Sequence, residues 1–376
     1  MQCLVAGPAP VDTCTRAQLR TDQPIPTPGP GEVVVQVAYA SHNPPDAYPF
    51  IPQSLALQYC KPDSHLGCDF SGIVTAVGTP GRCAMPPVGA KVYGWVPGNM
   101  GQWGAFAEYI VADAALVFKV PEDVAMNEAA ALSFSFSTAV HALGSCMHLD
   151  IEPSSHTAQE PVLVWGGGTA CGFYATQILK IAGYTVISVG GQAKAGADTI
   201  LSRHDVPAAI RTICQQWPQL RFAIDCFGSQ ETGEACQRAL GEAGGLVHTL
   251  LPVKVLPELE GKVTTQFELV HAMFGRPLDV FKLLDTYPSD EILVRDYNLA
   301  LRWGAYDQGW LYRLLSEHKL QLLPVTMWPP SDAPQDRGLV GVQNALESFT
   351  AHTIGVKAGV VPFPTGKVVH QIQTLS

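Results

Sequence analysis

The stretch VLVWGGGTACG, residues 162–172, ends an apolar strand-like run in a cluster of glycines, and the chemistry this allows is the gripping of a phosphate. Gly166, Gly167 and Gly168 permit close approach of a ligand to the backbone, Thr169 stands in the same turn, and Gly172 lets a following helix pack near the strand. A helix N-terminus adds free N–H groups and the positive end of its dipole, which together suit a pyrophosphate. The spacing is not GxGxxG, so the turn alone is a weak signal. A second group, Tyr48, Ser137, Thr138 and His141, offers hydroxyl and imidazole donors of the kind that stabilise negative charge developing on a carbonyl oxygen. Each has a plainer reading: Tyr48 as a rim aromatic, Ser137 and Thr138 as helix-capping hydroxyls, His141 as a core histidine.

These residues need elements to hold them. The first third is strand-like, with short β-branched or alternating runs at Glu32 to Ser41, Phe70 to Gly78 and Phe106 to Ala112, punctuated by Gly and Pro as in small barrels. From Asn127 the composition turns helical. Pro161 to Gly190 then reads as strand, glycine turn, amphipathic helix, strand, a βαβ unit. Arg221 to Gly228 and Gly244 to Pro252 supply further buried strands around the helical ETGEACQRALGEA, so the middle is a doubly wound α/β domain. Near the end come a helix at Gly309 to Leu320, a Pro-rich loop at Pro329 to Gly338, and a strand in TGKVVHQI that should return to the N-terminal barrel.

One interval is too short. Strand-like Thr185 to Val189 and Thr199 to Leu201 are joined only by Gly190 to Asp198, where a dinucleotide fold normally places a helix. Lys194 is the one cation in that interval, and no acidic residue ends the strand to take a ribose diol.

Composition narrows the class. A chain of 376 residues suggests two domains, and 47% hydrophobic residues allow ample core. The formal net charge of −10 and the absence of a basic stripe argue against nucleic acid as a partner. No apolar run is long enough to span a membrane, and the first residues lack the marks of a signal peptide. Ten scattered cysteines, never in CxxC spacing, read as buried reduced thiols of a cytoplasmic protein.

In order, the chain carries HNPPD (His42 to Asp46), GCDFSGIVTAVG (Gly67 to Gly78), VGAKVYG (Val88 to Gly94), GAFAEYIV (Gly104 to Val111), AAALSFSFSTA, WGGGTACG and TGKVV (Thr365 to Val369). This succession resembles the zinc-independent medium-chain dehydrogenase/reductase superfamily, and within it the trans-acting enoyl reductases of fungal polyketide biosynthesis. The resemblance implies an α/β protein with a GroES-like β-barrel-type substrate domain from residues 1–137 and 290–376, and an inserted Rossmann domain at 138–289. It implies NADPH held at Gly166, Gly167, Gly168, Thr169, Gly172, Lys194 and Asp225. It also implies that Ser137 and Thr138 approach the nicotinamide end. Zinc-dependent relatives carry a His-Glu pair where this chain has Cys68 and Asp69, and a four-cysteine lobe besides; neither set is present, so no metal is expected.

Two departures bear on the cofactor. In the resembling enzymes the second Rossmann strand opens into a helix start that holds the 2′-phosphate, and here about two helical turns are missing. The NPxDxK motif ends in Tyr48 instead of Lys. The expectation is therefore no cofactor or weakly held NADPH, on a tailoring enzyme that acts without net redox change. It would cyclise, rearrange pericyclically or isomerise an apolar polyketide-type polyene or enone. The alternative is an NADPH-dependent enoyl reductase that receives its substrate from a polyketide synthase or acyl carrier protein, although a net charge of −10 disfavours an acidic carrier. A third reading is a non-catalytic accessory binder.

Overall fold

The computed structural model describes residues 1–8, 17–51, 55–153, 160–190, 195–284, 287–328, 338–346 and 367–373. The chain divides into two compact units. The first comprises Met1–Phe134, His271–His318 and Leu322–Ser376, and the second comprises Ser135–Val270 with Lys319–Gln321.

The first unit is built on a mixed sheet. Its strands run in the order Val325–Trp328, Lys367–Gln371, Glu32–Ser41, Asp69–Val77, Lys91–Trp95, Val117–Lys119, and Tyr109–Asp113 pairs separately with Glu32–Ser41. The run EVVVQVAYAS is central because valines on both faces are buried, which demands packing on each side. As expected from TGKVVHQI, Lys367–Gln371 pairs antiparallel with Glu32–Ser41. Residues 271–284 and 287–289, expected with the Rossmann half, instead group with the first unit. There the His271 imidazole meets the Pro97 carbonyl at 3.1 Å, and Phe274 lies edge-on to the buried Trp95.

The second unit is a six-stranded parallel sheet in the order Thr199–Leu201, Thr185–Val189, Pro161–Trp165, Phe222–Asp225, Gly245–Thr249, Val263–Gln266. Numbered along the chain this is 3-2-1-4-5-6, the dinucleotide-binding order. Helices Ala170–Ile181, Val206–Gln216 and Gln230–Leu240 begin at Thr169, Asp205 and Ser229, and each of these side chains accepts a hydrogen bond from a first-turn amide. Leu163, Ile187, Ile213, Ala223 and Val247 belong to one buried cluster beneath them.

Between the second and third strands runs only 190–198, less than the roughly ten to twelve residues of a helix-bearing crossover. The Asp198 carboxylate pins its far end, accepting from the Val186 amide at 2.7 Å and pairing with Lys180 at 2.7 Å. Residues 191–194, including Lys194, lie outside the described residues, as does the loop 329–337. Every described cysteine is a free thiol, and among the described residues no helix is long and apolar enough to cross a membrane.

Candidate active site

At the carboxyl end of Pro161–Trp165 the chain turns through Gly166 with φ near 80°, a conformation that favours glycine. A Cβ on Gly172 would run into the Gly166 carbonyl and lie 2.9 Å from the Gly167 Cα, so only glycine lets the helix start so close to the strand. The Thr169 hydroxyl accepts from the Gly172 amide at 3.0 Å and fixes the first turn. Gly168 is exposed at the tip. The remaining first-turn amides have no acceptor within their own helix. Gly166, Gly167, Gly168, Thr169 and Gly172 thus form one cradle, whose bare backbone and dipole fit a pyrophosphate.

Beside the cradle, Gly190 ends the second strand with φ near 71°, and its carbonyl accepts from the Ser188 hydroxyl at 3.0 Å. The aliphatic stem of Arg203 lies over Gly190, about 3.5 Å from where a Cβ would stand. The Arg203 residue is exposed. Sequence reasoning missed it because Arg203 follows the third strand; parallel pairing of Thr199–Leu201 with Ile187–Val189 brings it to the end of the second. An arginine near that strand end is the side chain that accommodates a 2′-phosphate.

Asp225, expected to contact the cofactor, is fully buried and organises its own turn. Its carboxylate accepts from the amides of Phe227 at 3.0 Å and Gly228 at 3.2 Å and from the Thr232 hydroxyl at 2.7 Å. Burial raises its pKa, while these hydrogen bonds pull the other way. The turn it holds leaves Phe227 57% exposed, with its backbone against Gly166, at the point where strand order reverses.

The hydroxyl and imidazole candidates divide between the units. Ser137 is buried and Thr138 half-buried on the helix Ser133–Val140. That helix passes into a π turn, His141–Cys146, where His141 is 1% exposed and its Nδ1 lies 3.5 Å from the Cys146 sulfur. His141 is thus a core histidine. Tyr48 belongs to the first unit, in the 3₁₀ turn Tyr48–Phe50, and burial of its hydroxyl pushes its pKa up to about 12. The phenol therefore keeps its proton at neutral pH.

In the first unit the motif residues converge on one buried carboxylate. Asp69 accepts from the Ser41 hydroxyl at 3.2 Å, the Asn43 side-chain amide at 2.9 Å, the Phe134 amide at 2.7 Å and the Lys367 ammonium at 2.7 Å. Lys367 also donates to Asn43 Oδ1 at 2.7 Å. Asp46 is buried nearby, accepting from the Asn43 amide at 2.7 Å, and burial raises its carboxyl to about 7. Cys68, beside Asp69, has its thiol pKa driven well above the ordinary value, chiefly by burial. The pair that would replace the zinc-dependent relatives' His-Glu is therefore a protonated thiol and a carboxylate already matched by a lysine.

Residues 29–122 match the alcohol dehydrogenase GroES-like domain. The chain is 34% identical to the trans-enoyl reductase caaB of Aspergillus niger, over 81% of this chain and 84% of that protein. It is 30% identical to the trans-enoyl reductase ucsL of an Acremonium species, over 92% and 94%. Among solved structures it resembles an alcohol dehydrogenase superfamily protein from Novosphingobium aromaticivorans, with a TM-score of 0.70 at 21% identity over 99% of this chain and all of that one. It also resembles the CurK enoyl reductase, with a TM-score of 0.63 at 16% identity over 99% of each chain. Sheet order, glycine turn and motif cluster agree with these likenesses, and the chain belongs to the trans-enoyl reductase family of the medium-chain dehydrogenase/reductase superfamily.

Proposed function

We propose that the protein is an NADPH-dependent enoyl reductase acting on an apolar polyketide-type acyl chain, delivered as a thioester by an acyl carrier protein or polyketide synthase. The observation that carries this reading is the bare glycine cradle with Arg203 beside it. The cradle amides hold the pyrophosphate, and the Arg203 guanidinium replaces the missing helix start as the partner of the adenosine phosphate. When bound, the cofactor supplies a hydride to the β-carbon of an α,β-unsaturated thioester. Tyr48, protonated at neutral pH, is a hydrogen-bond donor of the kind that stabilises negative charge developing on a carbonyl oxygen, and it stands where the resembling motif has a Lys that reaches the cofactor. Ser137 and Thr138, in the second unit with the cradle, match the pair that approaches the nicotinamide end in the resembling enzymes. The test is titration with NADPH and NADH followed by nicotinamide fluorescence, together with turnover of an enoyl pantetheine thioester. Micromolar NADPH affinity with loss of nicotinamide absorbance on turnover is expected.

A second reading is favoured by the short crossover at 190–198 and by Tyr48 in place of Lys. It is a redox-neutral tailoring enzyme that cyclises or isomerises a polyene or enone held in a near-attack conformation. Product formation without added nucleotide, and no NADPH binding, would decide for it.

A further inference from the structure

The π turn His141–Cys146 has an effect that an α-helix would not have. Residues five apart fall on different faces of an α-helix, whereas the i→i+5 repeat of a π turn brings its first and last residues together. His141 Nδ1 and Cys146 Sγ are accordingly 3.5 Å apart, and both residues are 1% exposed. Glu268, in the segment after the strand Val263–Gln266, brings a carboxylate oxygen to the same place, and the three ligand atoms lie within 4.8 Å of one another. All three residues belong to the second unit. The positions at Cys68 and Asp69, where zinc-dependent relatives carry a His-Glu pair, belong to the first unit.

We propose that His141, Cys146 and Glu268 form a binding site for one divalent transition-metal ion of the zinc class. Zinc–sulfur and zinc–nitrogen bonds of about 2.3 and 2.0–2.1 Å at a tetrahedral angle put sulfur and nitrogen about 3.5 Å apart. The separation of His141 and Cys146 already has that value. A thiolate, an imidazole and a carboxylate select a borderline-soft ion over calcium or magnesium, which take oxygen ligands. Glu268 Oε1 accepts from the Gln266 side-chain amide at 2.6 Å, the outer support that orients a ligating carboxylate. Three ligands leave one coordination position. His248, also in the second unit, is 1% exposed, and its Nδ1 has no hydrogen-bond partner.

On binding, the Cys146 S–H bond breaks, the proton passes to buffer, and the thiolate electron pair goes to the metal, with no redox change. Affinity therefore falls as pH is lowered. The ion would tie the π turn to the segment after the sixth strand and stabilise the second unit.

The test is titration of the chelator-stripped full chain with cobalt(II), then displacement by zinc. One cobalt per chain with a thiolate charge-transfer band is expected. Cys146→Ser should abolish the band and weaken zinc at least tenfold. Glu268→Gln should weaken zinc similarly, and carries the test by itself if the serine variant does not fold. A zinc-induced rise in melting temperature should appear in the wild type and vanish in both variants. The proposal fails if no thiolate band forms, or if the band survives in Cys146→Ser and so belongs to another cysteine. Nucleotide titration of the stripped protein reads the proposed reductase function separately.

Discussion

In the first unit, the buried Asp69 carboxylate is surrounded by the chain's own donors, Lys367 foremost at 2.7 Å. In the second, the end of the strand Pro161–Trp165 turns through glycines, with Gly168 exposed and, among the described residues, the Arg203 stem and the Ser188 hydroxyl beside Gly190. One region finishes its electrostatics internally; the other presents donors outward. Residues of one set of family motifs therefore do different work. HNPPD, GCDF and Lys367 meet to build a scaffold, whereas WGGGTACG shapes a place for a ligand.

That contrast can be broken most sharply at Lys367. Lys367→Met leaves a buried carboxylate without its cation and should lower stability by about 3–5 kcal/mol, measured by urea denaturation. A loss under 1 kcal/mol would mean that the pair is not the scaffold. In the second unit, Gly172→Val forces a side chain into the Gly166 carbonyl. It should weaken NADPH about a hundredfold, some 2.7 kcal/mol, with circular dichroism retained. An unchanged dissociation constant would remove the cradle from the site.

A pH effect separates scaffold from site next. Burial raises the Asp46 carboxyl to about 7 in the folded state, against about 3.9 unfolded, so between these values the folded chain keeps a proton that the unfolded chain has lost. The stability this contributes is complete below about pH 4 and gone above pH 7. Asp46→Asn should therefore gain roughly 1–2 kcal/mol on the wild type between pH 5 and pH 7, in paired denaturation curves. The smallest effect is Arg203→Ala. NADPH affinity should fall about tenfold, or 1.4 kcal/mol, while NADH binding stays the same. An equal loss for both nucleotides would take the guanidinium off the adenosine phosphate.

Periodicity and glycine placement made the strands, the βαβ unit and the cradle legible, because each is set by residues close together in sequence. The helices Val206–Gln216 and Asp290–Trp303 and the strand Val263–Gln266 went unread. The grouping of His271 and Phe274 with the first unit also escaped, since it rests on contacts with Trp95 and Pro97 far upstream. Arg203 was overlooked for a related reason. Its place depends on strand pairing, and the interval 190–198 drew attention to Lys194 instead. His141 was legible as a donor but not as a neighbour of Cys146, which needs a π turn that composition does not announce. Asp225 was expected to hold the cofactor, but its acceptors serve its own loop.

Asp69 and Lys367 are 298 residues apart in the chain, and that distance is also an interval of time. At about 5–20 residues per second, synthesis supplies the ammonium roughly 15–60 s after the carboxylate has left the ribosome's active centre. Until then the strand Asp69–Val77 cannot be sealed without burying a lone charge. The nascent polypeptide must therefore keep this sheet wet, or its aspartate protonated, while the contiguous run Ser135–Val270 is free to collapse. The part of the molecule translated first is the last to close.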